Sequence, residues 1–282
     1  MGSGVQVSVM QERGQRAAAL GQLIARSFPQ LSVEPRVQFP LAAVERRLGR
    51  VEQADRLYQV TERMQPTSSW ATYARGELWL GKSTNEDPPR RTTHVPRATE
   101  KPYLDGVFDD PVWQSSQPLG LRSALREDAE WHAAAQLAYD DEFLYIAVNC
   151  RWAGESSPAA LVPRTRDANL TEHDRIELLL DVDRDGATSY RLAFDDRGFT
   201  HDSCWGDSTW NPQWFVASSR DAESWSVEAA IPLDELADQA PRSRTAWALG
   251  LQRTVPGVGF QSWSTPAATT IMPDGFGLMI FE

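Results

Sequence analysis

The stretch Phe143-Leu-Tyr-Ile-Ala-Val-Asn-Cys-Arg-Trp152 decides the fold class of the larger part of this chain. Leu144, Ile146, Val148, Cys150 and Trp152 fall on one side of a two-residue alternation; Tyr145, Ala147, Asn149 and Arg151 fall on the other. Successive side chains of a strand point to opposite faces, so the pattern predicts a strand with one face in a core. Similar runs occupy 131–139, 174–181, 189–194, 213–218, 225–231, 247–254, 260–263 and 277–281, with turn residues between them. Short strands without helical crossovers predict an antiparallel β-sandwich.

Upstream the period changes. Residues 5–82 are rich in Ala, Gln, Arg and Leu, and Ala17, Leu20, Leu23 and Ile24 recur at helical spacing. Short amphipathic helices are expected at 6–28, 41–48, 53–64 and 70–80, broken at Gly49 and Pro66. Gly49, Ala54, Tyr58 and Pro66 occupy the small, small, aromatic and proline positions of a tetratricopeptide repeat, with Leu41-Ala42 on the preceding helix, and the segment resembles one such unit and a half. A helical cap or spacer is the expected role, with a peptide groove as the alternative. Residues 83–98 hold three prolines and few apolar residues, a linker composition. The predicted class is therefore α+β in two segregated parts: α-helical hairpins over 1–82, a linker over 83–98 and an antiparallel β-sandwich over 99–282.

Bulk composition narrows the partners. A net charge of -11 argues against nucleic acid, whose phosphates need clustered Lys and Arg. No apolar run approaches the ~20 residues that span a bilayer, so membrane insertion is not expected. Met1-Gly-Ser-Gly4 lacks the basic and apolar regions of a signal peptide and reads as an added leader, so further domains are expected upstream. The two cysteines, Cys150 and Cys204, are too far apart for a CxxC motif. Two unpaired, mostly buried thiols are expected, and a single disulfide would need a geometry that the sequence does not give. Nine of the eleven tryptophans lie from Trp113 onward, and most are expected in the core.

Five ordered motifs carry a family resemblance. They are Tyr103-Leu-Asp-Gly-Val-Phe-Asp-Asp-Pro-Val-Trp113, Ala138-Tyr-Asp-Asp-Glu-Phe-Leu-Tyr-Ile-Ala-Val148, His173-Asp-Arg-Ile-Glu-Leu-Leu-Leu-Asp181, Trp225-Ser-Val-Glu-Ala-Ala-Ile-Pro-Leu233 and Phe276-Gly-Leu-Met-Ile280. Together they resemble the family 9 carbohydrate-binding modules, within the DOMON-like sandwiches. The resemblance implies a non-catalytic module holding a saccharide or polysaccharide against tryptophan on the concave sheet. Carried over singly, it implies Glu177, Arg191 and Gln252 as hydrogen-bonding residues and Trp263 as a stacking residue. Alternation supports the grouping: with Ile176, Leu178 and Leu180 inward, Glu177 faces outward, as do Arg191, Ala193, Ala248, Gly250 and Gln252. Two positions depart from the family pattern, Thr171 replacing a second stacking tryptophan and Ala193 a binding asparagine. Replacement aromatics are sought in Trp205-Gly-Asp-Ser-Thr-Trp210-Asn-Pro-Gln-Trp214, Trp152 or His173, and Trp210 and His173 join the candidate site. The alternative is a structural or protein-interaction sandwich that has lost its sugar site. The resemblance also suits the cell surface, the extracellular space or the periplasm.

Other chemistry has less support. Asp181-Val-Asp-Arg-Asp-Gly186 repeats the first half of a calcium loop, with Asp181, Asp183 and Asp185 as candidate ligands of a structural calcium. Position twelve of that loop would be Leu192 rather than a bidentate Glu, and a hairpin turn explains the residues equally well. No other cofactor is expected: His132, His173, His201, Met272 and Met279 show no pairing suited to haem. With no GxSxG, HExxH or phosphate loop, an enzyme is not expected.

Overall fold

The computed structural model describes residues 3–82, 86–123, 128–154 and 167–282, so residues 83–85 of the expected linker lie outside the described residues. The chain divides into two compact units, Met1–Arg90 with Asp183–Thr188, and Arg91–Val182 with Ser189–Glu282.

The first unit contains helices α1 (Ser3–Ser27), α2 (Pro35–Arg47), α3 (Val51–Met64) and α4 (Ser69–Leu80). Helix α2 begins six residues before the expected Leu41. Pro35 sits at its first position, where a missing N–H costs nothing, and the helix runs on through Pro40. Gly49 takes φ +74° to end α2, a left-handed conformation that glycine adopts without a Cβ penalty. Ser68 caps α4, its hydroxyl accepting from Ala71 N at 3.1 Å. Phe39 packs on the rings of Tyr58, Trp70 and Tyr73 at centroid distances of 5.3, 5.0 and 4.9 Å. Ala42, Ala54, Ala71 and Ala74 are buried beside them and let the helices approach closely. The Glu77 carboxylate is also buried here, and Arg90 Nη2 (2.9 Å), Arg184 Nε (3.0 Å) and Arg46 Nη1 (3.5 Å) surround it.

The second unit is the sandwich. Its strands are β1 (Thr92–Val95), β2 (Leu119–Leu121), β3 (Ala133–Tyr139), β4 (Phe143–Arg151), β5 (Arg175–Asp181), β6 (Tyr190–Asp195), β7 (Thr200–Cys204), β8 (Phe215–Arg220), β9 (Ser224–Pro232), β10 (Ala246–Val255), β11 (Gly259–Ser262) and β12 (Gly277–Phe281). One sheet runs β1-β12-β10-β5-β6-β7, with β11 also on β10; the other runs β2-β3-β4-β9-β8. All pairings are antiparallel except β1 with β12. Strand β1 lies inside the stretch read as linker: Thr93 and Val95 are buried, and the strand pairs with Leu278–Phe281. Its four residues are too few to show a period. Leu144, Ile146, Val148 and Cys150 face Ile176, Leu178, Leu180, Leu192 and Phe194 across a single core, as the alternation requires. Met279 is also core.

Both cysteines are free thiols; Cys150 is fully buried, and burial pushes its thiol pKa up. Arg253 crosses this core fully buried. Its guanidinium donates to both oxygens of Asp174 (2.9 and 2.5 Å) and to the carbonyls of Trp131 and Arg151 (2.7 Å each). Trp225 Nε1 also donates to Asp174 Oδ2 at 2.8 Å. On the outer face of the second sheet, Tyr145, Ala147 and Ala230 are covered by Ala98, Val112 and Trp113. Glu228 holds that cover in place. Its carboxylate accepts from Asp105 N (3.0 Å), Gly106 N (2.9 Å) and Trp113 Nε1 (2.8 Å).

Candidate functional site

Part of the outer face of the first sheet is open, and three strands build it. Glu177 on β5 stands opposite Ala193 on β6, which stands opposite His201 on β7. Arg191, two residues before Ala193, projects from the same face and pairs with Ser203. Leu178, Leu192 and Phe194 on the reverse face anchor these strands in the core. A cleft of about 320 Å³ results, lined by Asn169, Thr171, Arg175, Glu177, Arg191 and His201 among others.

The cleft is organised around one carboxylate oxygen. Arg191 Nη2 donates to Glu177 Oε1 at 2.8 Å, and Arg175 Nε donates to the same oxygen at 3.0 Å. Burial opposes ionisation of Glu177, but the two guanidiniums outweigh it and hold the carboxyl below the usual carboxylate range. Arg191 Nη1 lies 3.2 Å from His201 Nδ1. Arg175 also reaches Thr171 O (3.1 Å), and Thr171 N donates to Asn169 Oδ1 (3.0 Å), so the cleft wall is tied to its floor. The Glu177 side chain is 16% exposed and that of Arg191 31%. Held donors and an acceptor that still meet solvent suit a neutral, polyhydroxylated ligand, whose hydroxyls both give and accept. No Trp, Tyr or Phe side chain lines the cleft among the described residues.

Glu177, Arg191 and Thr171 are thus brought together, whereas four other expected site residues stand elsewhere. Trp263 is 6% exposed and packs in the core, its Cη2 2.4 Å from where a Cβ on Gly277 would lie. It presents no open ring face, which corrects the expectation of a stacking platform. Gln252 does stand opposite Glu177, as alternation required, but it is 1% exposed. Its Nε2 donates to Thr269 O at 3.1 Å, while its Oε1 has no partner among the described residues. The connection between β11 and β12 causes this burial by folding back over β10. A Cβ on Gly250 would meet Ile271 Cγ2 and Phe276 Cε1 at 2.6 Å each, so the small residues of β10 make room for the chain itself rather than for a ligand. Trp210 packs on Tyr190 at 4.8 Å and Trp214 donates to Asp202 Oδ2 at 3.0 Å, both at the sandwich rim. His173 lines a separate cleft with Trp152, Asp196 and Arg197, 3.7 Å from the Asp196 carboxylate.

Carboxylate oxygens of Asp181, Asp183 and Asp185 lie within 4.8 Å of one another, and Asp183 and Asp185 have protein partners. Asp185 accepts from Ala187 N, Thr188 N and Thr188 Oγ1 within its own turn, and Asp183 pairs with Arg47 at 3.2 Å. Asp181 ends β5 and is buried. Ligand atoms of His173, Asp195 and Asp196 lie within 4.8 Å of one another, but Arg197 and Arg220 already neutralise the two carboxylates. Sequence reasoning missed Arg175 and His201. The first precedes the apolar run of β5, and the second lies on Thr-His-Asp-Ser-Cys, a strand whose inward residue is a polar Asp202.

Comparison with known proteins agrees with this geometry at the level of fold. The family model described as "Carbohydrate family 9 binding domain-like" matches residues 104–270. An endo-1,4-beta-xylanase C of Paenibacillus barcinonensis is 25% identical over 222 residues, covering 74% of this chain but 18% of the xylanase. Two solved structures of a family 9 carbohydrate-binding module from Caldicellulosiruptor kristjanssonii superpose on 68% of this chain. The complex with cellotriose has a TM-score of 0.51, 18% identity and 94% of its own chain covered. The complex with glucose has 0.50, 19% and 96%.

Proposed function

Since the chain belongs to the carbohydrate family 9 binding domain-like family, we propose that its sandwich is a non-catalytic saccharide-binding module whose site is the cleft of Glu177, Arg191, Arg175 and His201. The observation that carries this reading is the Glu177–Arg191 pair, held at 2.8 Å yet open to solvent on an uncovered part of the sheet. A carboxylate and a guanidinium fixed by each other supply an acceptor and several donors at small entropic cost, as hydroxyl recognition needs. Glucose and cellotriose, bound by the solved relatives, are the first ligands to try. Trp263 and Gln252 have no place in this site because both are buried. The xylanase relative is matched over 18% of its length, which suits a module that accompanies other domains.

A sandwich kept for protein contact is the competing reading, favoured by the absence of Trp, Tyr and Phe among the described residues lining the cleft. Calorimetric titration of the intact chain with glucose, cellobiose, xylobiose and cellotriose separates the two, with Glu177→Gln and Arg191→Ala measured alongside. Saturable binding weakened about tenfold or more in both variants supports the saccharide site. No binding by the parent up to about 10 mM, weaker than roughly -2.7 kcal/mol, overturns it.

A further inference from the structure

A wider groove, of about 530 Å³, lies on the second sheet, where the β3–β4 turn meets the start of β8 and the end of β9. Its apolar lining includes Phe143, Phe215, Pro232 and Leu233. Phe143 opens β4 opposite Pro232, Phe215 opens β8 opposite Ala230, and the two rings stand 6.1 Å apart. Phe215 is 55% exposed on the edge strand of its sheet, so the groove presents an aromatic surface to whatever enters it.

The rest of the lining is charged, and of one sign. Asp141, Glu142, Asp234, Glu235 and Asp238 all contribute, and no Lys or Arg lines the groove among the described residues. Arg97 and Lys101 reach Asp141 (2.5 Å) and Glu142 (2.7 Å) from outside it. Asp234, Glu235 and Asp238 make no salt bridge among the described residues. A cleft walled by like charges concentrates the field and favours a cation inside it. Lys101 already shows the geometry at the edge: its Nζ lies 5.0 Å from the Phe143 ring centroid while it bonds Glu142.

We propose that this groove docks a lysine- or arginine-bearing segment of a partner protein. Aliphatic stems lie on the Phe143–Phe215 surface and the charged heads meet Asp234, Glu235 and Asp238. Such side chains use both parts of the lining at once, whereas a neutral glycan or an apolar segment leaves the carboxylates unanswered. A second copy of this chain carries the same net charge of -11 and is disfavoured as the occupant. The groove shares no lining residue with the Glu177 cleft, so the inference stands independently of the saccharide reading.

The test is fluorescence anisotropy of labelled hexa-arginine titrated with the intact chain at about 0.15 M salt, where exposed charges more than about 8 Å apart are largely screened. Saturable binding by the parent is expected. Asp234→Asn/Glu235→Gln/Asp238→Asn should weaken it about tenfold. A control that removes three exposed charges elsewhere, Glu12→Gln/Glu52→Gln/Glu100→Gln, should stay within about twofold of the parent. Phe215→Ser, which leaves the charge unchanged, should weaken binding about threefold, with its fold checked by thermal melting. No binding by the parent, an equal loss in the control, or parent-like binding by Phe215→Ser overturns the proposal. A dimer in sedimentation that Phe215→Ser dissociates also overturns it, by assigning the groove to a second copy.

Discussion

Replacing Arg253 by methionine tests whether the sandwich depends on its buried ion pair more than on its apolar fill. The guanidinium is fully buried and satisfies the two oxygens of Asp174 and two backbone carbonyls. Methionine fills much of the same volume but leaves Asp174 with one described donor, the Trp225 indole, and strips Trp131 O and Arg151 O of this partner. Removing one member of a buried pair costs about 3–5 kcal/mol, because an uncompensated charge stays behind. The stranded carbonyls are lost through the same deletion and are not added again, so about 4 kcal/mol is expected. The double variant Arg253→Met/Asp174→Asn removes the charge while the amide oxygen still accepts from Trp225. It should recover about 1–2 kcal/mol of that loss. Urea unfolding followed by tryptophan fluorescence reads this unit, since nine of eleven tryptophans lie in it. A cost below about 1 kcal/mol for Arg253→Met, or a double variant no more stable than the single, would refute the reasoning.

Three further predictions follow the same physics. Burial opposes ionisation of Glu77, but Arg184, Arg46 and Arg90 together hold its carboxyl below the ordinary value. Its contribution is therefore fully present above the unfolded value of about 4.3 and is lost as pH falls through the lower folded one. Helical circular dichroism melts from pH 6 to 3 should show that decline in the parent and a flatter, lower profile in Glu77→Gln. Gly250→Ala drives a Cβ into Ile271 and Phe276 and should cost about 1–3 kcal/mol, with faster proteolysis over 264–276 as a second readout. Saccharide binding should weaken as pH falls through the lowered Glu177 value, because protonation removes the acceptor that Arg191 and Arg175 hold, which calorimetry at stepped pH would show.

The legible parts of this molecule were those where burial imposes a period. Strand β4 alternates because one face meets the core, and the face assignments of Glu177, Arg191 and Gln252 followed from their apolar neighbours. Alternation says which way a side chain points but not what lies above it. Gln252 was misjudged for that reason, since the segment that buries it comes from later in the chain, whereas Trp263 was carried over from the resemblance and packs in the core. A signal was present: the connection between β11 and β12 is too long for a hairpin and carries Ile271 and Phe276, which need cover. Strands β1, β2 and β7 escaped because four, three and five residues cannot establish a period, and β7 turns Asp202 inward.

The motifs that carried the family resemblance divide by what they touch. Glu228 and Trp113 come from two motifs far apart in sequence, yet the indole donates to the carboxylate, which also holds Asp105 and Gly106 by their amides. Gly106 takes φ +84°, and a Cβ there would meet Ser219 N at 2.7 Å, so only glycine lets the opening turn lie this close to β8. Asp174 likewise serves Arg253 and Trp225 in the core. These residues fasten loops to sheets and would be required whatever the module binds. Glu177 and Arg191 are different: they meet solvent, and although Glu177 also pairs with Arg175, neither closes a loop through the other. The fold can therefore be recognised from scaffold residues whatever the exposed residues of the sheet have become. The Glu177–Arg191 pair is accordingly a part of the sheet whose chemistry can change without changing the fold.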